Sequence, residues 1–491
     1  MNPILIIIPI LLPVFAGAVI PVFKFQKAPV RERYVLGAAI INSVLVFALL
    51  LNRPHETLTL VSLSTHVSIG FRIDGLSMVF GGLLAGLWPL ASLYAFEYME
   101  HEGKENTFFT YYTMTYGIAV GVAFAANLVT MYLFYELLTL VTLPIIMHAM
   151  DKKAINAGRK YLIYSIAGAA CAFMAVMVLM SSAGTTDFVY GGLLAGKDLG
   201  SRTRWLLTAY LVAFMGFGVK AAVFPFHGWL PTAGVAPTPV TALLHAVAVV
   251  KAGVFAITRI TFYSFGAEFL QGTWVQYVVM GMAMFTIVFG SMMAEREHHL
   301  KRRLAYSTVS NLSYILFGVT LMTPAGLAAG LSHMIFHGIM KICLFFCAGA
   351  VICKTGREYV QELRGFGRKM PVTMACFTVG SLALTGVPGL CGFISKWHLA
   401  VAAAQSDIPF AHLGIAVLMI SAVLTASYLF TIVIRAYFPG SGFDYGLVAN
   451  VEDPGICMKI PLTVLCVFML VWGLFPSSIM AFFNQVALGL I

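Results

Sequence analysis

The most constraining feature of this chain is a succession of uninterrupted apolar stretches, most of them close to 20 residues long. That length matches the number of helical residues needed to cross a hydrocarbon core of about 30 Å. About fourteen such stretches follow one another between polar or Gly/Pro-containing breaks. They fall near residues 3–23, 34–51, 76–97, 108–125, 127–148, 161–181, 205–224, 238–262, 274–294, 304–322, 327–352, 371–405 (broken), 409–434 and 459–487. The sequence therefore predicts an all-α, polytopic membrane protein.

The composition excludes a water-soluble alternative. Only 10% of the 491 residues are charged and 60% are hydrophobic, whereas a globular domain carries roughly 25% charged residues. A water-exposed surface with so few charges would consist of large apolar patches that aggregate. We conclude that lipid is the solvent for most of this surface.

The lysines and arginines are distributed unevenly between the two sets of predicted connections. Twenty of the 30 lie on one side of the bundle, and six, including Arg259, lie on the other. Positively charged connections remain on the cytoplasmic side, so we expect a multi-pass protein of a prokaryotic cell membrane with both termini on the outer side. The same asymmetry accounts for the net charge of +10 without nucleic acid as a partner.

The eight cysteines show no CxxC pair and mostly lie inside apolar runs. In such places a cysteine usually behaves as a small hydrophobic residue. The chain also has no GxxxxGK[ST] motif and no evident flavin, iron–sulfur or haem site. We therefore expect no bound cofactor and no metal, and an energy source that lies in partner proteins or in an ion gradient.

Five charged residues stand alone inside predicted spans: Glu136, Lys220, Lys251, Lys341 and Lys396. Each would cost roughly 2.5–3.5 kcal/mol if it faced lipid, and such residues mark ion or proton pathways by default. We expect Glu136 to pair with a lysine, although a hydrogen bond that only locks helix packing is an alternative. For Lys220, which lies close to a proline break, snorkelling to the interface is the alternative.

Three of the candidate residues form a stripe on one predicted helix. His333, His337 and Lys341 recur at intervals of four residues, which places them on one face. A proton relay is the favoured interpretation. Ligation of a haem is the alternative, and it would need histidines that face each other from two helices.

Two of the predicted spans are interrupted by glycine and proline. The breaks lie at Pro225, just after Lys220, and at Pro388, just before Lys396. Paired broken spans are typical of transporters built on inverted repeats, and they predict that Lys220 and Lys396 correspond. The predicted organisation is an N-terminal three-helix segment (1–105), a first five-helix repeat (106–265), an inverted second repeat (266–438), and a C-terminal loop with the last span (439–491).

Motifs along most of the chain resemble those of one family of membrane proteins. They are the run from Lys220 to Pro231, the stretch 236–240 leading to His245 and Lys251, the segment 304–308, the His333/His337/Lys341 stripe and Gly392-Phe393-Ile394-Ser395-Lys396. They are similar to the antiporter-like subunits of respiratory complex I, of ferredoxin- or hydrogenase-linked membrane complexes and of Mrp-type sodium/proton antiporters. The segment 356–371 looks more like the D-type subunit of Mrp antiporters and the membrane-hydrogenase branch than like core complex I subunits.

The resemblance implies a role for each candidate residue. Glu136 and Lys220 would be an ion pair on the fifth and seventh helices, Lys251 the central relay, His333 and His337 relay histidines beside Lys341, and Lys396 the end of the path. It also implies fourteen helices with the seventh and twelfth broken. Asn311 stands where many relatives have histidine, and asparagine does not titrate.

Three functions remain open from the sequence. The first is a proton- or sodium-translocating subunit of a redox-driven complex of the NADH/ferredoxin oxidoreductase or membrane-bound hydrogenase type. The second is the D-type subunit of an Mrp-type Na⁺/H⁺ antiporter without redox chemistry, and the third is a membrane cytochrome or quinone-site subunit. The resemblance implies other integral membrane subunits as partners, and peripheral iron–sulfur subunits in a redox-driven complex. The choice between H⁺ and Na⁺ stays open.

Overall fold

The computed structural model describes residues 3–54, 56–64, 67–194, 196–197 and 199–491, and most of them are helical. The helices are α1 (Ile8–Phe23), α2 (Ala28–Asn52), α3 (Gly75–Met99), α4 (Glu105–Phe124), α5 (Leu128–Ile146), α6 (Lys152–Ala183), α7 (Thr203–Lys220), α8 (Trp229–Thr232), α9 (Thr238–Ala242), α10 (Val249–Arg259), α11 (Ala267–Leu270), α12 (Trp274–Arg296), α13 (Leu300–Thr320), α14 (Pro324–Thr355), α15 (Phe366–Lys369), α16 (Pro371–Thr385), α17 (Cys391–Ala404), α18 (Pro409–Tyr437), α19 (Ile456–Leu474) and α20 (Ser477–Ala487).

Within the described residues, ten helices are long and apolar enough to cross a membrane. They are Pro3–Phe23, Ala28–Asn52, Gly75–Met99, Leu128–Ile146, Lys152–Ala183, Thr238–Phe265, Trp274–Arg296, Pro324–Thr355, Pro409–Tyr437 and Ile456–Leu474. The protein is therefore a polytopic helical membrane protein, as predicted. The predicted last span, 459–487, is in fact two helices, α19 and α20, because Phe475 and Pro476 interrupt it.

A β-hairpin follows α2, and the all-helical prediction did not include it. Strand β1 (Leu58–Ser64) pairs antiparallel with strand β2 (Val67–Phe71). Four residues of the two strands are β-branched, a type that favours strands: Thr59, Val61, Val67 and Ile69. The backbone N–H of Gly70 donates to the hydroxyl of Thr130 on α5, so the hairpin is attached to the helical bundle.

Two helical segments occupy the centre of the bundle. The segment Thr238–Phe265, which contains α9 and α10, is fully buried in its apolar part, and α14 is almost so. Helix α14 packs against α3, α13, α16, α17, α19 and α20. Polar residues on these two segments therefore lie away from lipid, where only a protein partner or water can satisfy them.

The two predicted breaks are present. Helix α7 ends at Lys220, and the chain then runs irregularly through Pro225 before α8 begins. Helix α16 is capped by Gly386, whose φ of 98° no ordinary residue adopts without strain, and α17 begins at Cys391. Irregular backbone at membrane depth is tolerated only where protein or a hydrated cavity surrounds it.

We expect Gly392→Ala to destabilise the protein by about 1–3 kcal/mol, the usual cost of overpacking. An added Cβ at this position of α17 would overlap the carbonyl oxygen of Ala383 on α16 and lie 2.9 Å from the Met340 sulfur. Gly37→Ala on α2 is the matched control, because nothing in the described residues lies within 4 Å of its Cβ position. Thermal unfolding in detergent measures the difference, and equal midpoints for the two variants would contradict this packing.

Candidate functional site

The first predicted pair is formed by Glu136 and Lys220. Glu136 lies on α5, and Lys220 is the last residue of α7. The ammonium Nζ lies 3.5 Å from Glu136 Oε1, and the lysine side chain is 1% exposed whereas the glutamate is 26% exposed. A buried ammonium next to one carboxylate is the expected ion pair, so the snorkelling alternative for Lys220 does not apply.

Tyr135, the neighbour of Glu136, holds the same ammonium and was not singled out from the sequence. Lys220 Nζ donates to the Tyr135 backbone carbonyl and lies 3.4 Å from the centroid of the Tyr135 ring. Both contacts stabilise a cation without supplying a negative charge. The Lys220 ammonium therefore has favourable contacts in addition to the Glu136 carboxylate.

The second pair joins the two central segments. Lys251 Nζ of α10 and His337 Nδ1 of α14 are 2.9 Å apart, and neither residue is exposed. A hydrogen bond between these two nitrogens requires one of them to accept, so the bonded pair carries at most one positive charge. The geometry is that of two groups able to exchange a proton.

His333 lies one turn before His337 on α14. Its ring stacks on that of His337 with centroids 5.9 Å apart, and its Nδ1 lies 2.9 Å from Ser395 Oγ on α17. The Nε2 atoms of both histidines are buried without a protein hydrogen-bond partner in the described part of the chain. Such nitrogens are sites for ordered water. The two rings share one helix instead of facing each other, which does not fit a haem ligated by both.

Lys396 lies at the second break, where its ammonium donates to the Leu384 carbonyl at 2.6 Å and the Thr385 carbonyl at 3.0 Å. These carbonyls end α16, the negative end of a helix dipole. Lys396 follows its break, whereas Lys220 precedes its own.

Tyr314 of α13 connects His333 to Lys396. Its ring stacks on the His333 ring with centroids 5.2 Å apart, and Lys396 Nζ lies 5.2 Å from its centroid. Lys341 is also completely buried, but it donates to the Leu304 carbonyl of α13 at 2.9 Å. Tyr314 and Ser395 therefore both contact His333 next to Lys396, whereas Lys341 contacts a different neighbour.

His245 is a further buried histidine close to these residues. It lies in a π-helical turn, Leu243–Val247, between α9 and α10, and its ring is 4.8 Å from that of Phe345 on α14. Both of its ring nitrogens are buried and have no protein partner where the structure is described. The sequence places His245 in the motif that leads to Lys251, but its spacing alone did not indicate a polar cluster.

A separate ion pair lies toward the end of α10. The guanidinium of Arg259 donates to both carboxylate oxygens of Asp74, at 2.6 and 2.8 Å, and to the Ser77 hydroxyl at 3.0 Å. Arg259 is fully buried, with the rings of Phe255 and Tyr263 at 5.0 and 4.7 Å from its Cζ. Arg259 was counted from the sequence among the basic residues of the connections on one side of the bundle. The structure instead buries it within the segment Thr238–Phe265, against Asp74, which lies 185 residues away along the chain.

Burial raises the pKa of the Asp74 carboxyl, but the adjacent Arg259 guanidinium outweighs this effect and leaves the pKa below its ordinary value of 3.8. Asp74 is therefore charged at neutral pH. Among the described residues, no group of three or more His, Cys, Asp or Glu side chains is arranged to hold a metal ion.

Comparison with known proteins identifies two family regions. Residues 125–425 match the family "NADH:quinone oxidoreductase/Mrp antiporter, TM". Residues 60–109 match "NADH-Ubiquinone oxidoreductase (complex I), chain 5 N-terminus". The first region contains all seven predicted site residues, and the second contains most of the hairpin and α3.

Individual relatives agree with this assignment. The chain is 30% identical over 433 residues to the N-type subunit of the NADH-quinone oxidoreductase of Desulforudis audaxviator (strain MP104C), covering 84% of this chain and 85% of that protein. It is also 30% identical to the A-type subunit of the Na⁺/H⁺ antiporter of Alkalihalophilus pseudofirmus (strain ATCC BAA-2126 / JCM 17055 / OF4), covering 82% of this chain and 52% of that protein. The chain thus spans about half the length of that antiporter protein.

The fold is shared with solved structures. A chain of the membrane-bound sulfane sulfur reductase, an archaeal respiratory membrane complex, superposes with a TM-score of 0.86 at 22% identity, covering 98% of this chain and 96% of that one. The family predicted from the sequence motifs is confirmed. This chain belongs to the family of transmembrane subunits shared by NADH:quinone oxidoreductases and Mrp-type antiporters.

Proposed function

We propose that this chain is an antiporter-like subunit that translocates protons across the cell membrane within a multi-subunit, redox-driven complex. The ions move along Glu136–Lys220, Lys251–His337, His333 and Lys396. The observation that carries this proposal is the 2.9 Å contact between Lys251 and His337 at the buried centre of the bundle. A structural role would not need two ionisable groups there, because apolar residues pack as well at less cost in desolvation.

Opening and closing of the Glu136–Lys220 pair is the proposed switch. Two unit charges about 4 Å apart attract by about 4 kcal/mol at an effective dielectric constant of about 20. The paired carboxylate favours the charged ammonium, and separation removes that attraction. The Tyr135 ring then stabilises the Lys220 ammonium by a cation–π contact until the proton leaves. Water bridges Lys220 to Lys251 and completes the route to Lys396.

We further propose fourteen spans. In addition to the ten spans described above, α4, α7, α13 and the broken pair α16/α17 complete the number. Of these, α16 is apolar but shorter than a full span, and α7 and α13 carry the polar residues Lys220 and Tyr314, which are buried inside the bundle. The proposed organisation keeps the segments 1–105, 106–265, 266–438 and 439–491, with inverted repeats in the two middle segments. The excess of basic residues on one side supports placing both termini on the outer side.

The proposed partners are other integral membrane proteins and peripheral iron–sulfur proteins that supply the redox energy. Similarity to one component of a quinone oxidoreductase over 85% of its length supports this assignment. The second candidate function is the D-type subunit of an Mrp-type Na⁺/H⁺ antiporter, and the similarity to an Na⁺/H⁺ antiporter protein supports it. In that case no redox protein is present, and sodium is the counter-ion.

Purification of the intact complex from native membranes tests the proposal. Companion proteins are identified by mass spectrometry, and ion movement is followed in sealed vesicles with a pH-sensitive dye. Iron–sulfur companions together with acidification on addition of a reductant support the redox-driven function. Small hydrophobic companions together with acidification driven by a sodium pulse support the antiporter. Failure of the intact complex to move ions under either drive would overturn both.

We expect His337→Gln to reduce proton translocation about a hundredfold, the typical contribution of one positioned acid–base group. Glutamine retains an oxygen acceptor for the Lys251 ammonium but binds no proton at neutral pH. Assembly and the unfolding midpoint should therefore change little. His298→Gln, at an exposed histidine in the connection between α12 and α13, is the matched control. Wild-type transport by the His337 variant would remove this residue from the path.

A further inference from the structure

Four of the eight cysteines meet at the contact of three helices. Cys343 and Cys347 lie on α14, Cys376 on α16 and Cys466 on α19. The sulfurs of Cys343 and Cys466 are 4.0 Å apart, although 123 residues separate them along the chain. The remaining cysteines include Cys171, which is exposed on α6. The cluster is therefore produced by the tertiary fold and not by local spacing.

The backbone of α16 brings the two closest thiols together. The thiols of Cys343 and Cys466 both donate to the carbonyl oxygen of Cys376, each at 3.9 Å. Close packing keeps α16 near α14, since a Cβ at Gly380 would lie 3.0 Å from a methyl group of Leu344. Two thiols that share one acceptor are held on the same side of it. The contact between the sulfurs therefore does not depend on a chance pair of rotamers.

Helix geometry decides which cysteines can form a bond. A disulfide needs Cβ atoms about 3.5–4.5 Å apart and an S–S bond of about 2.05 Å. Residues four apart on one helix have Cβ atoms about 5–6 Å apart, which excludes Cys343 with Cys347. Cys343 and Cys466 lie on different helices and need an approach of about 2 Å between sulfurs that already touch.

We propose that Cys343 and Cys466 form a redox-active thiol pair that a two-electron oxidant converts to a disulfide between α14 and α19. The two S–H bonds break and one S–S bond forms. The two electrons and two protons pass to the oxidant, such as a peroxide, which leaves as two water molecules, or a diazene, which leaves as the hydrazine. The bond ties α19 to the helix that carries His333 and His337, and the inference does not depend on the proposed function.

The cysteine cluster is buried, but two of its members lie close to the surface of the bundle. Cys343 is fully buried, but Cys376 and Cys466 are 6% and 9% exposed, and their helices lie within the membrane-spanning part of the chain. We expect a small, membrane-permeant oxidant to reach them from the lipid side. In the described residues no set of three or more cysteine, histidine or acidic side chains is placed to bind a metal, so oxidation is favoured over metal ligation.

Peptide mapping of the full chain in native membranes tests this inference. Membranes are treated with diamide, denatured, blocked with N-ethylmaleimide, digested and analysed by mass spectrometry. We expect a cross-linked peptide pair containing Cys343 and Cys466, lighter by the two hydrogens lost and absent after dithiothreitol treatment. Oxidation or adduct formation at exposed Cys171 reports that the reagent reached the protein.

Variants identify the bonded pair. Cys343→Ser and Cys466→Ser should each abolish the linked peptides, whereas Cys376→Ser, which keeps the shared carbonyl, should retain them. Modification of Cys171 with Cys343 and Cys466 recovered unlinked in the wild-type chain would overturn the proposal. Recovery of a bond to Cys376 instead would also overturn it. The wild-type map decides the question even where a variant fails to accumulate.

Discussion

Lys220→Ala should abolish ion translocation while the complex still assembles. The substitution removes the cation that pairs with the Glu136 carboxylate and that Tyr135 holds. Without that group no proton can be held at the break after α7. Proton uptake into sealed, inverted vesicles, with the protein quantified by immunoblot, measures the effect. Lys153→Ala, at an exposed lysine near the start of α6, should behave as wild type.

A second substitution at this position separates charge from proton transfer. Lys220→Arg keeps a cation close to Glu136, but a guanidinium does not lose its proton in proteins. We expect assembly close to wild type together with transport as low as in the alanine variant. Undiminished pumping by either variant would remove Lys220 from the path and, with it, the proposed switch.

Asp74→Asn should lower the free energy of unfolding by about 3–5 kcal/mol, the cost of leaving a buried charge without its partner. Asparagine retains an oxygen that can cap α3 as Asp74 does for Ser77, so the loss is attributable to the unpaired guanidinium of Arg259. Chemical or thermal unfolding in detergent measures it. In the wild-type protein the lowered pKa of Asp74 means that the stabilisation is complete at neutral pH. It is lost only as the pH falls below 3.8 and through the lowered value.

An exposed pair of the same chemistry is the control. Arg302 donates two hydrogen bonds to Glu297, at 2.9 and 2.7 Å, but its side chain is 53% exposed. We expect Arg302→Ala to cost about 0.2–1 kcal/mol, as surface ion pairs do. Equal losses for the two variants would mean that burial does not determine the strength of the Asp74–Arg259 pair.

Some features could be predicted from the chain alone because they are local. A run of about 20 apolar residues has one stable form in hydrocarbon, a helix whose backbone N–H and C=O groups hydrogen-bond to each other. Glycine and proline indicate where such a helix ends. The five isolated charges were identifiable for the same reason, since each contrasts with its apolar neighbours. The hairpin at Leu58–Phe71 was missed, although four β-branched residues were visible in it, because its strands are short and lie between two strong helical signals.

Other features depend on which helices touch. Arg259 lies near a helix end and looked like a residue of a connection until the fold placed Asp74 against it. His245 and Tyr314 are ordinary residues of apolar helices whose neighbours, Phe345 and His333, come from elsewhere in the chain. The cysteines showed no motif, because the contact between Cys343 and Cys466 joins two helices that are distant along the chain, α14 and α19. The spacing of residues along the chain indicates only contacts within one helix or strand.

The amino-acid sequence alone determined the membrane environment, the broken spans and the identity of the polar residues inside them. The reason is that the free energy of transferring a segment from water to lipid depends mainly on its own residues. The tertiary structure decided which polar groups meet. The 2.9 Å contact of Lys251 with His337 and the placement of Lys396 at the end of α16 depend on helix positions set by the packing of the whole bundle. Proton transfer requires contacts of that length, and no local pattern of residues specifies them.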